Sequence, residues 1–352
     1  MGERMSIRVR EWVQHRFLWL LTAAYALAAL WPHVGDELRR LSVNGPGGAA
    51  MSLPMALLSV LLFNAGLGAD VSELRSILRR PRTLVLGVVA NVLVPLGFLV
   101  LLAFALRCWP DPDEAQCLLV GLAVVAAMPV AGSSTAWSQN SNGSTALSLG
   151  LVIASTLLSP LTTPLTLAAV APLTEGSYAT AVRELSSGGT GAFLLACVAA
   201  PSAAGMICRM CVGKRILVIK PGIKFANSIV LLVLCYANAA AVLPKVIAQP
   251  DWDFLLLSLG AVAGLCLAAF ASGWLLARAL RTSASQTRSL VFALGMSNNG
   301  TGIVLACSAL AALPGAVLPV LTYNLVQHLV AGSVNRRLQR SRYEAKNAES
   351  AS

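Results

Sequence analysis

The chain has 352 residues, of which 57% are hydrophobic and 12% charged, with 26 Lys and Arg against 15 Asp and Glu and a net charge of +11. A soluble domain carries about 25% charged residues, and this shortfall excludes a disordered chain, a coiled coil and a secreted disulfide scaffold. A basic nucleic-acid binder is excluded too, because its charges are not so sparse among apolar residues; a polytopic membrane protein is the class that fits.

A bilayer is crossed by about 20 apolar residues, fewer where flanking side chains snorkel. Ten such runs follow one another: 17–31, 52–67, 84–106, 116–137 and 144–170, then 190–211, 216–243, 252–280, 290–310 and 313–334. Every Asp and Glu lies outside them except Asp253, at the very start of the eighth, as do most Lys and Arg. A charge at the midplane costs about 2.5–3.5 kcal/mol, so this separation is what hydrocarbon demands. With the N-terminus inside, 21 of the 26 basic residues are cytoplasmic, and Arg39, Arg40, Arg107, Arg183 and Lys245 are left outside. The positive-inside rule therefore predicts an all-α protein of ten transmembrane helices, multi-pass in the plasma (inner) membrane, with both termini cytoplasmic. Its divisions are a cytoplasmic segment 1–16, five helices over 17–170, five more over 190–334, and a cytoplasmic tail 335–352. The basic start and 15-residue apolar run also have the layout of a signal peptide, but no small-x-small site follows before Pro32.

The eight cysteines lie mostly inside the runs, where Cys behaves as a small hydrophobe. Cys208 and Cys211 form a CxxC without a second pair or a nearby His, which weighs against zinc. Cys108 and Cys117 both border the third connection, and a disulfide between them stays open. His15 and His33 lie at the ends of the first run. His328 lies inside the tenth, with Asn324 one turn earlier on the same face and Gln327 beside it. Two readings stand for these residues, a hydrogen bond between helices and the lining of a substrate cavity.

The fourth and ninth runs are interrupted. The fourth meets Pro129, Gly132, Ser133, Ser134 and Thr135 and stays polar to Ser144, a pattern no lipid-facing helix accommodates. The ninth carries Gly295, Met296, Ser297, Asn298, Asn299, Gly300, Thr301 and Gly302 amid apolar residues. Each interruption is the fourth run of a five-run half, and five being odd, the second half enters the membrane inverted. Matching interruptions in inverted halves mark a secondary transporter: unwound carbonyls suit a cation, and half-helix N-termini suit an anionic group. The plainer alternative, two glycine-rich packing faces, calls for neither adjacent Asn nor Ser-Ser-Thr. In the fifth run Ser148, Val152, Ser155 and Ser159 share one stripe, and in the third Asn91 stands four residues before Pro95, whose kink would turn it inward.

Four passages resemble the bile acid:sodium symporter family of organic-anion transporters. They are Phe63, Asn64 and Gly66 through Asp70 to Arg82; Pro129 through Ser148 to Pro164; Leu294 to Gly300, which is similar to the family's Gly-Met-Gln-Asn motif; and His328 with Gly332 and Ser333. The resemblance covers most of the chain from residue 52. It implies ten helices in two inverted five-helix repeats: a core with broken, crossing helices 4 and 9, and a panel made of the first two helices of each repeat. Substrate would sit between them, and sodium would be the coupling ion, with no organic cofactor. Carried over residue by residue, Ser134, Thr135 and Ser148 match oxygen positions of the first sodium site, Thr135 in place of an Asn, while Val152 replaces a hydroxyl and Ala293 a Glu shared by both sites. The second would use Asn91 and Ser297 in place of Gln, and the carbonyls of Leu294 and Met296. An ion held without a carboxylate loses a charge partner worth several kcal/mol in low dielectric. Sodium coupling is thus expected at one site, the second, with a sodium-independent carrier as the alternative.

The function expected is an ion-coupled importer of a small organic anion, working by alternating access in the lipid bilayer, with no nucleic-acid partner. Ser133, Asn298, Asn299, Thr301, Asn324 and His328 would bind the substrate, hydrogen bonding to a carboxylate; Arg209, Lys220, Lys224 and Arg278 fall within runs but count as cytoplasmic anchors, so no Arg or Lys is expected to fix its charge. A channel or a non-translocating receptor is the rival class, and the paired broken helices suit a carrier better. An intramembrane enzyme would want an in-span acid or paired His. An arsenite-type exporter would want a thiol where Met128 precedes Pro129.

Overall fold

A computed structural model of the chain describes residues 16–44, 50–69, 81–187 and 189–351. The segments 1–15 and 70–80, with the basic residues that the topology counts there, lie outside the described residues.

Helix α1 (Phe17–Leu30) ends where Pro32 follows, and the chain turns by 93° into the charged α2 (Pro32–Arg40). A short antiparallel hairpin, β1 (Ser42–Asn44) with β2 (Ala50–Ser52), leads into α3 (Leu53–Leu67). Helix α4 (Pro81–Leu106) passes through Pro95 without ending. Helix α5 (Pro112–Ala127) is started by Asp111, whose carboxylate accepts the amides of Asp113 and Glu114. It is buried on all sides from Leu118 to Ala127, as a helix apolar all round should be.

After the interruption come α6 (Ser133–Asn140), α7 (Thr145–Val170) and the connecting α8 (Gly176–Ser187). Helix α9 (Thr190–Leu194), a π-helical turn (Leu195–Ala199) and α10 (Ala200–Val212) make one 23-residue helix, its wide turn placed just before Pro201. Then follow α11 (Ile216–Ala239), α12 (Leu243–Ala248), α13 (Trp252–Ala279), α14 (Ala284–Gly295), α15 (Asn299–Ala309) and α16 (Pro314–Ala351).

Among the described residues, six helices are long and apolar enough to cross a membrane, or seven if the bent α1–α2 pair counts as one. The other runs read from the sequence are not single long apolar helices. The second is the 15-residue α3, and the fourth and ninth are the split pairs α5–α6 and α14–α15. The hairpin, α2, α8 and α12 fall in connections where no structure was foreseen. Cys108 and Cys117 are separate thiols, and Cys117 donates to Tyr178 Oη on α8 at 3.7 Å, so the disulfide left open is not formed.

Two packing groups position the site. In one, α3 lies against α9–α10 so closely that a Cβ on Gly66 would meet the Ser202 carbonyl, and one on Gly205 the Phe63 carbonyl. Helix α11 packs on α1, α2 and α3. In the other, α13 packs on α14 and α16, α16 on α5 and α15, and α4 on α5, α7 and α13.

Candidate functional site

The two interruptions meet. Residues Val130 and Ser297 form an isolated antiparallel bridge: the Ala131 amide donates to Met296 O at 2.9 Å, and the Asn298 amide to Pro129 O at 2.8 Å. Proline at 129 stops α5, because it has no amide to continue the ladder. Asn298 starts α15, its side-chain oxygen accepting the Thr301 amide at 3.3 Å. The groups freed at each break are satisfied by neighbouring side chains, as buried backbone requires. The Val130 amide donates to Ser155 Oγ of α7 at 3.1 Å, and the Ser297 amide to Gln327 Oε1 of α16 at 3.0 Å. Thr163 Oγ1 donates to Ala127 O at 2.7 Å and Asn91 Nδ2 to Met128 O at 3.4 Å. In each half, the helix after the broken pair supplies the side-chain oxygen that accepts the freed amide.

A cavity of about 550 Å³ lies beside this crossing. One wall is α3, α10 and α11; the other is the crossing with α6, α7 and α16. It runs from the crossing toward the end of the molecule marked by Gly68, Gln139, Arg209 and Ile216. Of the expected substrate residues, Ser133, Asn298, Asn299, Asn324 and His328 line it, as do Thr135 and Ser297. Thr301 does not; its hydroxyl is wholly buried without a partner among the described residues. Asn299 reaches the cavity edge, yet only 1% of it is exposed and both its side-chain polar atoms lack partners there.

The expected ion ligands divide into two places. Ser148 Oγ donates to Thr135 Oγ1 at 3.3 Å, and the neighbouring Ser134 Oγ is fully buried without a hydrogen-bond partner among the described residues. The second group, Asn91, Leu294, Met296 and Ser297, lies around the crossing, where Met296 O and Asn91 Nδ2 already hold the backbone together. Ala293 is completely buried.

The expectation of a cavity without Arg or Lys is corrected. Arg209 on α10 and Lys224 on α11 both line it, and no Asp or Glu does among the described residues. Both cations lie inside apolar runs, and that was the signal available; their nearness to a basic connection made them read as topological anchors. Asn64, Asn227 and Gln139 were also missed. Asn324 Nδ2 donates to Tyr25 Oη of α1 at 3.0 Å, and Gln327 Nε2 lies 3.5 Å from Asn324 Oδ1, so a polar chain joins α1 through α16 to the crossing.

Residues 55–249, more than half of the chain, match the model of the sodium bile acid symporter family. The chain belongs to that family. Two Bacillus subtilis (strain 168) proteins are similar to this symporter-family chain. The uncharacterized sodium-dependent transporter YocS is 25% identical over 302 residues, covering 83% of this chain and 85% of YocS. The uncharacterized protein YbaS is 25% identical over 292 residues, 81% of this chain and 88% of YbaS. Family and helices together make this symporter-family member an integral, multi-pass membrane protein.

Proposed function

We propose that this protein is a secondary active transporter, a sodium-coupled symporter that imports a small organic anion across the plasma membrane by alternating access. The observation that carries the reading is the crossing of two interrupted helices beside a cavity whose formal charges are cationic. Two interrupted helices meeting at one point, each capped from the following helix, support two inverted five-helix repeats over 17–170 and 190–334. The α4–α7 and α13–α16 group is the core, and α1–α3 with α9–α11 the panel. The positive-inside rule makes the end with Arg209 and Ile216 cytoplasmic, so the cavity opens inward.

At the other end Arg39 of α2 donates to Cys307 O near the C-terminus of α15 at 3.4 Å. A cation there is favoured by the helix dipole, and this contact closes panel on core. The substrate is held by Asn298, His328 and Ser133, with Asn299 and Asn324 at the edge of the site.

Sodium travels as co-substrate. Its donor set is neutral oxygen, which fits a hard cation weakly. The first group fits better than the second, because Ser148 Oγ and Thr135 Oγ1 lie 3.3 Å apart and the adjoining Ser134 hydroxyl is unpartnered among the described residues, whereas the second group is engaged in the crossing. This moves the ion from the second site to the first. The test is uptake of labelled organic anions by proteoliposomes under inward sodium or potassium gradients. Uptake that saturates and needs sodium is expected; equal uptake in potassium removes the coupling, and flux that never saturates marks a channel.

A further inference from the structure

We infer that the anionic group of the transported compound is read by Lys224 on the panel helix α11, across the cavity from the crossing. The inference rests on the cavity being the substrate site. Helix α11 turns Ile223, Lys224, Asn227 and Leu231 to the cavity, the spacing of one helical face. Asn64 Nδ2 of α3 donates to Asn227 Oδ1 at 2.7 Å, which fixes the Asn227 amide and leaves its Nδ2 as the end with hydrogens to give.

Lys224 is exposed within the cavity, one turn before that amide. Arg209, the other cation of the lining, is 9% exposed and its guanidinium donates to the Gly213 carbonyl. It sets the sign of the local field, while the reachable contact is the lysine. No carboxylate lines the cavity among the described residues, so their formal charges there are all of the sign opposite to an arriving anion.

Between these groups the wall carries apolar side chains, among them Leu58, Leu61 and Leu62 on α3 and Ile153 and Leu157 on α7. A compound held there has its carboxylate or sulfonate on α11, an apolar body along α3 and α7, and an uncharged polar part at Asn298. The bound anion therefore bridges panel and core. Its charge is answered by a fixed cation of the protein rather than by an ion at the crossing, where Ala293 offers no charge.

The experiment uses the full chain in phosphatidylcholine nanodiscs. Thermal stabilisation is titrated with 4-phenylbutanoate, naphthalene-2-carboxylate and decanoate, and with the primary amide of each, in wild type, Lys224→Gln and Lys224→Arg. Wild type should bind each carboxylate more tightly than its amide. Lys224→Gln should weaken the carboxylates by about tenfold or more, the scale of a hydrogen bond to a charged group, and leave the amides unchanged. Lys224→Arg should restore the preference, and all three proteins should melt alike without ligand.

Carboxylates that bind Lys224→Gln as tightly as wild type overturn the assignment, and so does an equal loss for carboxylate and amide. Those outcomes leave the cavity as the substrate site. A wild type stabilised by no compound of either kind strikes the cavity reading itself, and this inference with it. In discs containing phosphatidylglycerol, unchanged carboxylate affinity supports a soluble substrate; competition by the lipid assigns Lys224 to a headgroup and overturns the proposal.

Discussion

At the scale of single residues, the site is built from polar groups whose costs differ. Asn298 caps α15 and lines the cavity. Replacing an Asn cap by Ala costs about 1 kcal/mol of helix stability. Asn298→Ala should therefore lower the melting temperature modestly but abolish uptake, and uptake near the wild-type rate would remove Asn298 from the substrate site. Ser134 behaves oppositely. Its buried hydroxyl has no partner among the described residues, and removing an unsatisfied polar group is neutral or stabilising. Ser134→Ala should melt no lower than wild type in potassium and lose most of the sodium-induced rise; a full sodium shift in the variant would exclude this hydroxyl from the ion site. Asn298 and His328 were legible in the chain because polar groups inside apolar runs have few uses. Thr301 was misplaced because two helical positions from Asn299 is the opposite face, and only the packed helix tells which face is wet.

At the scale of elements, close approach and capping set the architecture. Gly66 and Gly205 let α3 and α10 touch through their backbones. Filling either with a larger side chain has nowhere to go but backbone, and overpacking of that kind costs about 1–3 kcal/mol. Gly205→Val should cut the yield of folded protein and lower its melting temperature by several degrees, while Gly97→Val, at a glycine with nothing within 4 Å, should change neither.

Outside the membrane-spanning segments, Glu114 accepts from Trp109 Nε1 at 2.7 Å, and its carboxyl sits close to Asp251 and Asp253. Partial burial first, and the neighbouring acids next, push Glu114 above its ordinary value, while its pairing with the Asp253 side chain and the hydrogen bond from the Phe254 amide hold Asp251 below. A raised acid contributes stability below its unfolded value and loses it as pH climbs through the folded one. Glu114→Gln should thus melt slightly higher than wild type at neutral pH, the gap closing as pH falls toward 4. An unchanged difference across that range would show that the carboxyl is indifferent to its neighbours. The breaks at Pro129 and Asn298 could be read from composition, because proline and paired Asn interrupt a ladder wherever they occur. Their meeting could not, since Val130 and Ser297 are far apart in the chain.

At the scale of the molecule, the proposed alternating access requires a contact that holds the end opposite the cavity mouth. Arg39 holds α2 to the end of α15 across a crevice of about 320 Å³. A net hydrogen bond of this kind is worth about 1 kcal/mol, a roughly fivefold population ratio. On the proposed alternating access, Arg39→Ala should therefore favour the second arrangement, seen as faster amide exchange over 240–245 and 307–317, with no change in the buried α5. Exchange confined to α2 itself would mean that Arg39 ties down only its own helix. Sodium, if it favours one arrangement, should oppose or reinforce that shift, and a sodium effect identical in both proteins would uncouple the latch from the ion.

Apolar runs, basic connections and two interruptions are local properties, so the chain alone determined a membrane protein of helices, broken at 129 and 298, with its acids outside the bilayer. Tertiary structure decided what the interruptions do. Hydrogen bonds between segments distant in sequence pin the breaks together, and packing turns Lys224 and Arg209 from anchors into a cavity wall. The reason is that a charge near a helix end satisfies the hydrocarbon equally well facing lipid headgroups or an internal cavity. Only the neighbouring helices distinguish the two.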